Sequence, residues 1–196
     1  TNVGAGLPVI NTLDGLLLSG DTVVQIEAVL SGTLSYLFNT FDGKKPFSTL
    51  VSEARQLGYT EPDPRDDLCG IDVARKLLIL TREMGLQLEL HDIVVENLVP
   101  EECRGVSSIE EFLKILPKAD AVFEAKRVAA QQEGKVLRYI ASFKNGKTSV
   151  ALQAVDQKHP FYSLSGGENI LAFTTKRYNT YPLVVRGPGA GPEVTA

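Results

Sequence analysis

The sequence predicts an α+β domain in which helices cover one face of a largely antiparallel or mixed sheet. Apolar residues recur at helical spacing through the first two thirds of the chain, and from about residue 135 the period shortens to two. The helix-rich and strand-rich parts follow one another with little βαβ alternation, the order expected of α+β layers. At 196 residues, 43% apolar and 22% charged, the chain can bury one substantial core.

In chain order, Pro8 can open a helix with Val9, Ile10, Leu13, Leu16 and Leu17 as its stripe and Gly20 as its stop. TVVQIEAVL (22–30) is β-branched and bounded by turn residues, so it reads as a strand. LSYLFNTF reads as a short helix ended by Asp42-Gly43. Pro46 and Ser48 then open a helix with Leu50, Val51, Ala54 and Leu57 on one face and Gly58 as cap. A charged loop leads into a helix from about Ile71 to Met84, closed by Gly85. DIVVENLVP (92–100) is a strand candidate. Ser108 and Glu111 resemble a capping box, and a helix runs from about Ala119 to Gln132. KVLRYIASF, TSVALQAV, NILAFTTKRY and YPLVVRG complete the sheet, the first two joined through the hairpin signal Asn145-Gly146.

A net charge of −4 without a basic stripe argues against nucleic acid. No apolar run approaches the ~20 residues of a membrane span, and the N-terminus lacks the regions of a signal peptide. Cys69 and Cys103 have neither disulfide-framework nor zinc spacing and point to a reducing, cytoplasmic compartment, or to a plastid for a plant precursor. His91 and His159 stand alone, without metal-ligand spacing. The ends read as mid-motif, which suggests a piece excised from a longer polypeptide.

The densest chemistry lies in GYTEPDPRDDLCGIDVARK (58–76). These nineteen residues hold five carboxylates, three basic groups and two prolines and run into a helix that is apolar in almost every direction. Pro62 and Pro64 are expected to hold the chain extended, so that Glu61, Asp66 and Asp67 stand on a stiff segment above the helix N-terminus. Acidic groups are favoured there by the helix dipole, but five exceed that need. Asp72 and Lys76 are spaced i,i+4 and share one stripe, as a structural ion pair or as a working one. A lysine among carboxylates on an apolar wall suits proton transfer, and the acids suit an ammonium group on a substrate.

This stretch, together with TNVGAGLP at the start, LSGTLSYLF (30–38) and RGPGAG with VTA at the end, resembles the homoserine dehydrogenase family over the whole chain. The similarity suggests the homoserine dehydrogenase portion of a bifunctional aspartokinase–homoserine dehydrogenase, or a monofunctional enzyme. It implies NAD(P)H-dependent reduction of aspartate 4-semialdehyde to homoserine, on the route to threonine, methionine and isoleucine. By the same resemblance Lys76 is the proton donor and Asp72 binds substrate and orients Lys76. Glu61 and Asp67 hold the amino-acid end, and Tyr59, Gly32 and Thr33 line the pocket. Gly58, Glu61, Gly189 and Gly191 lie near the NAD or NADP. The carbonyls of Val3, Ala5 and Leu7 form a monovalent cation (sodium) site whose glutamate ligand falls upstream of Thr1.

Residues 1–196 would then be the catalytic and dimerisation domain, with 1–7 and 187–196 as hinge and cofactor-facing segments. The family's Rossmann domain is absent: neither VGAGLP nor GPGAG has the strand–glycine loop–helix context of a dinucleotide fingerprint. The expected partners are the small-molecule substrate, the upstream Rossmann domain and a second copy in a homodimer. Two other readings stand beside this one. The domain could be a dimerisation module, inactive without its Rossmann partner, or an aldolase-like enzyme with a Schiff base at Lys76.

Overall fold

The computed structural model describes residues 3–189. A six-stranded sheet is ordered β2-β4-β3-β1-β5-β6, with β1 (Val23–Val29), β2 (Val94–Val95), β3 (Val136–Lys144), β4 (Lys147–Val155), β5 (Asn169–Thr175) and β6 (Leu183–Gly187). Every pairing is antiparallel except β2 with β4. The helices are α1 (Val9–Leu18), α2 (Gly32–Thr40), α3 (Phe47–Gln56), α4 (Pro64–Leu68), α5 (Ile71–Glu83), α6 (Glu101–Arg104), α7 (Ile109–Ile115) and α8 (Asp120–Gln132).

Strand alternation sorts the core into two parts. Ile26 and Ala28 of β1, Tyr139 and Ala141 of β3 and Leu171 and Phe173 of β5 share the face that meets the helices. A register shift between Val23 and Gln25 lets Val23 join that same core. On the opposite face Val29, Ile140 and Ile170 meet no helix; Phe161 and Leu164 cover them from the loop before β5. Asn145 and Gly146 both take positive φ (51° and 74°), the geometry of the hairpin turn that their sequence signalled.

Three readings of local structure need correction. The proline-bearing loop is not extended throughout. Pro64 opens α4, and Asp63 caps it by accepting the Arg65 N–H. Proline's fixed φ suits a first helical position, so the residue that argued for extension starts a helix instead. The strand candidate 92–100 shrinks to Val94–Val95, because a 3₁₀ turn over Leu90–Asp92 precedes it and the Asn97 side chain bonds the Val99 amide just after it. Leu57 is 65% exposed rather than buried with Leu50, Val51 and Ala54, since α3 has already ended at Gln56.

Helix α5 is more amphipathic than its composition suggests. Val73, Ala74, Leu77, Leu78 and Leu80 are buried, while Asp72, Arg75, Arg82 and Glu83 form an exposed stripe. Its first turn is set by Gly70, whose φ of 74° favours glycine. A Cβ at Gly70 would lie 2.0 Å from the Tyr139 hydroxyl. That hydroxyl donates to the Glu96 carbonyl, so sheet, loop and helix start are locked together.

Arg138 is a buried cation with no carboxylate partner in the described residues. Its guanidinium donates to the main-chain carbonyls of Phe38, Leu137, Phe161 and Tyr162. Burial pulls it down to about 10, which still leaves it charged at neutral pH. The Phe38 carbonyl lies in the last turns of α2, where the helix dipole favours a positive charge. Arg138 thereby ties α2 to the loop that covers the second face.

Candidate active site

Segments distant in sequence meet around a cavity of about 440 Å³: the start of α2, the stretch 58–76, the loop before β5 and the exit from β6. Gly32, Thr33, Gly58, Tyr59, Glu61, Asp67, Asp72, Lys76 and Gly189 all line it. The residues singled out from sequence thus converge on one wall-to-wall space. Gly191 lies outside the described residues. Asp66, on the same acidic stretch, is exposed and does not line the cavity.

Helix α5 places Lys76 with its side chain 19% exposed. The ammonium donates to the Leu30 carbonyl at 2.9 Å, at the end of central strand β1. Asp72, one turn earlier, pairs with it at 2.6 Å. Leu30 takes one N–H and Asp72 holds the charge, so at least one of the three ammonium donors remains for a ligand. Asp72 is 55% exposed, which makes it an orienting partner more than a source of stability.

The acidic loop is closed by Asp67. Its Oδ2 accepts the Glu61 N–H at 2.9 Å, and its Oδ1 lies 2.7 Å from the Thr33 hydroxyl. That hydroxyl is also 2.6 Å from the Tyr59 carbonyl. A hydroxyl has one proton, so Thr33 donates to one of these two oxygens at a time or shares its proton between them. Burial, foremost, raises the Asp67 carboxyl above its ordinary value; the Thr33 and Glu61 hydrogen bonds oppose that shift, and the nearby charges of Glu61 and Asp66 add to it. The Glu61 carboxylate itself has no hydrogen bond or ion pair among the described residues and is open to a ligand.

Ser31 also lines the cavity, and Gly167, Glu168 and Pro188, which were not singled out from sequence, complete the lining. Their signal is weak, an acid after paired glycines (Gly166-Gly167-Glu168) just ahead of a strand. The Glu168 carboxylate accepts bonds from Arg186 and from the Ser165 amide, and the Arg186 guanidinium holds it below the usual range. The loop before β5 is thus strapped to β6. Gly189 passes so close that a Cβ there would lie 2.4 Å from the Gly167 carbonyl oxygen. Backbone can approach a ligand at this edge because no side chain intervenes.

The loop at Val3, Ala5 and Leu7 is separate from the cavity lining. Gly4 and Ala5 both take positive φ (76° and 55°), a rare backbone turn for an alanine. The Leu7 carbonyl accepts the Val9 N–H at 2.7 Å and keeps a second lone pair. Main-chain oxygens of this kind suit a hard monovalent cation better than a transition metal. Among the described residues, no group of three or more His, Cys, Asp or Glu side chains could hold a metal. No helix of the described residues is long and apolar enough to cross a membrane.

Comparison with known proteins gives a consistent result. Residues 8–196 match the homoserine dehydrogenase family. A chloroplastic bifunctional aspartokinase/homoserine dehydrogenase of Daucus carota is 57% identical over 99% of this chain and 21% of its own length. A crystal structure of a Candida auris protein described as of unknown function superposes with a TM-score of 0.93 at 45% identity, covering 98% of this chain and 56% of that one. A hyperthermophilic archaeal homoserine dehydrogenase mutant in complex with NADPH gives 0.69 at 26% identity, covering 98% and 50%. The chain spans about a fifth of the length of the bifunctional relatives it matches.

The cap of α4 yields a pH-dependent prediction. Arg65 donates to Asp63 through Nε and Nη2 and holds that carboxyl below its ordinary 3.8. A depressed folded value contributes stability that is present above the ordinary value and lost as pH falls through the folded one. Asp63→Ala should lower the melting temperature at neutral pH by the equivalent of ~1–2 kcal/mol. The gap from wild type should narrow below about pH 4. A gap of constant size down to about pH 2 would contradict the assignment.

Proposed function

The chain belongs to the homoserine dehydrogenase family, and on that premise we propose that its cavity is where L-aspartate 4-semialdehyde is reduced to L-homoserine in the biosynthesis of threonine, methionine and isoleucine. One observation carries the reading: an ammonium anchored by a main-chain carbonyl and a carboxylate, with a donor left over, at the wall of a cavity that also presents an unpaired carboxylate. Lys76 gives the aldehyde oxygen its proton. Asp72 holds Lys76 in line and meets the substrate at the cavity edge. Glu61, with Asp67 behind it, binds the amino group, and Tyr59, Gly32 and Thr33 shape the pocket. The nicotinamide of NAD or NADP, when bound, supplies the hydride.

The nucleotide would be held mainly by a Rossmann domain outside this chain. Gly58, Glu61 and Gly189 would form the edge that faces it, since Gly189 leaves the room that a side chain would take. The Val3, Ala5 and Leu7 carbonyls would hold a monovalent cation such as sodium, supported by the left-handed backbone at Gly4 and Ala5. A Schiff base at Lys76 has less support, because its nitrogen is already engaged by the Leu30 carbonyl and by Asp72.

In the full-length protein, Lys76→Ala should reduce kcat for homoserine oxidation by about 10²- to 10⁴-fold, the usual worth of a positioned acid or base. Nucleotide affinity, read by fluorescence titration, should stay near wild type. Turnover close to wild type would refute the proton-transfer role.

A homodimer is part of the same proposal. Val184, Ala172, Glu27, Ser142 and Ser149 form a row across the second sheet face, by their strand register. Val184 is 40% exposed there, beyond the cover of Phe161 and Leu164. A second copy laid on this row would bury it. Sedimentation of the full-length protein should report a dimer that Val184→Lys weakens, whereas a wild-type monomer would contradict the arrangement.

A further inference from the structure

Tyr36 stands outside the cavity lining yet touches it through another ring. Its side chain stacks on Tyr59 with centroids 4.2 Å apart and planes 12° from parallel. Tyr59 is 47% exposed, so this stack covers one face of a ring that otherwise meets solvent and the cavity. Thr33 and Tyr36 are spaced i,i+3 on α2 and therefore share a helix face. Both use it on the same short segment: Thr33 reaches the Tyr59 carbonyl, and Tyr36 reaches the Tyr59 ring.

That segment needs holding. Residues 58–61 lie between the end of α3 and the start of α4, with no helix or strand of their own. Their main-chain ties to other residues are the amides of Gly58 and Tyr59 to the last turn of α3, the Tyr59 carbonyl to the Thr33 hydroxyl, and the Glu61 amide to Asp67. None of these fixes how far the Tyr59 side chain leans over the cavity. The stacked ring does, because α2 is itself anchored by buried Leu34, Leu37 and Phe38.

We infer that Tyr36 is a positioning residue for the substrate: through the Tyr59 ring it fixes the height of segment 58–61, and with it the Glu61 carboxylate, over the cavity. The inference rests on the functional reading above. Tyr36 touches neither substrate nor cofactor, so its loss should act on substrate binding and leave the proton-transfer pair intact.

The test uses the full-length protein with homoserine and nucleotide. Tyr36→Ala should raise the KM for homoserine about three- to tenfold, the range that a lost aromatic pair supports, with kcat within about twofold. Tyr36→Phe keeps the stack and should restore the wild-type KM. In a Tyr59→Ala background, Tyr36→Ala should add little further change, a non-additivity that general destabilisation does not produce. Tyr36→Leu provides the measurement if the alanine variant does not fold, and misfolding of both would make Tyr36 a core residue and overturn the inference. An active wild type whose Tyr36→Ala variant keeps its KM, or loses kcat alone, overturns this inference only. A wild type that does not oxidise homoserine overturns the functional reading and this inference with it.

Discussion

The hydrogen bond from Lys76 to the Leu30 carbonyl is the contact on which the rest of the site depends. It joins the end of the central strand to the second turn of α5, so the position of the ammonium is set by the packing of helix against sheet. The Lys76 side chain is 19% exposed, and the partial burial of its charged head is tolerable because that head finds a carbonyl and a carboxylate. A flexible lysine becomes a fixed donor by this means. Gly70 and Tyr139 extend the constraint, since their close approach fixes where α5 starts and therefore where its second and sixth residues, Asp72 and Lys76, point.

The cavity is a junction of backbone as much as of side chains. Gly32, Gly167 and Gly189 come together so closely that a Cβ at Gly189 would press on the Gly167 carbonyl oxygen. Three segments can share one edge only because they bring so little bulk. The Glu168–Arg186 pair then holds two of those segments at fixed separation. The acidic loop opposite is arranged differently, by the half-buried Asp67 carboxyl group, whose oxygens serve Thr33 and the Glu61 amide. Each wall thus has its own clamp, and Glu61 and Lys76 are left with groups to offer.

Most residues that line the cavity were legible in the sequence, Glu61, Asp67, Asp72 and Lys76 from one charged stretch of nineteen residues and Gly32, Thr33, Gly58, Tyr59 and Gly189 through the family resemblance. Strand alternation and turn residues likewise placed β1, β3, β4, β5 and β6. What escaped depends on tertiary contacts. Pro64 and Asp63 can extend a chain or start a helix, and only the anchoring of Arg65 on Asp63 and the Val106 carbonyl decides between them. Glu168 looks like any acid in a glycine-rich turn until β6 brings Arg186 beside it. Arg138 reads as a charge misplaced in a strand, because the four carbonyls that satisfy it come from three separate segments.

The most direct test is a crystal structure of the full-length protein with homoserine and oxidised nucleotide bound. The account predicts the homoserine hydroxyl oxygen within hydrogen-bonding distance, about 2.6–3.2 Å, of the Lys76 nitrogen. It also predicts that the Leu30 carbonyl and Asp72 still hold that nitrogen and that the substrate's ammonium faces Glu61. A hydroxyl oxygen met by another group, with Lys76 turned away from it, would contradict the account.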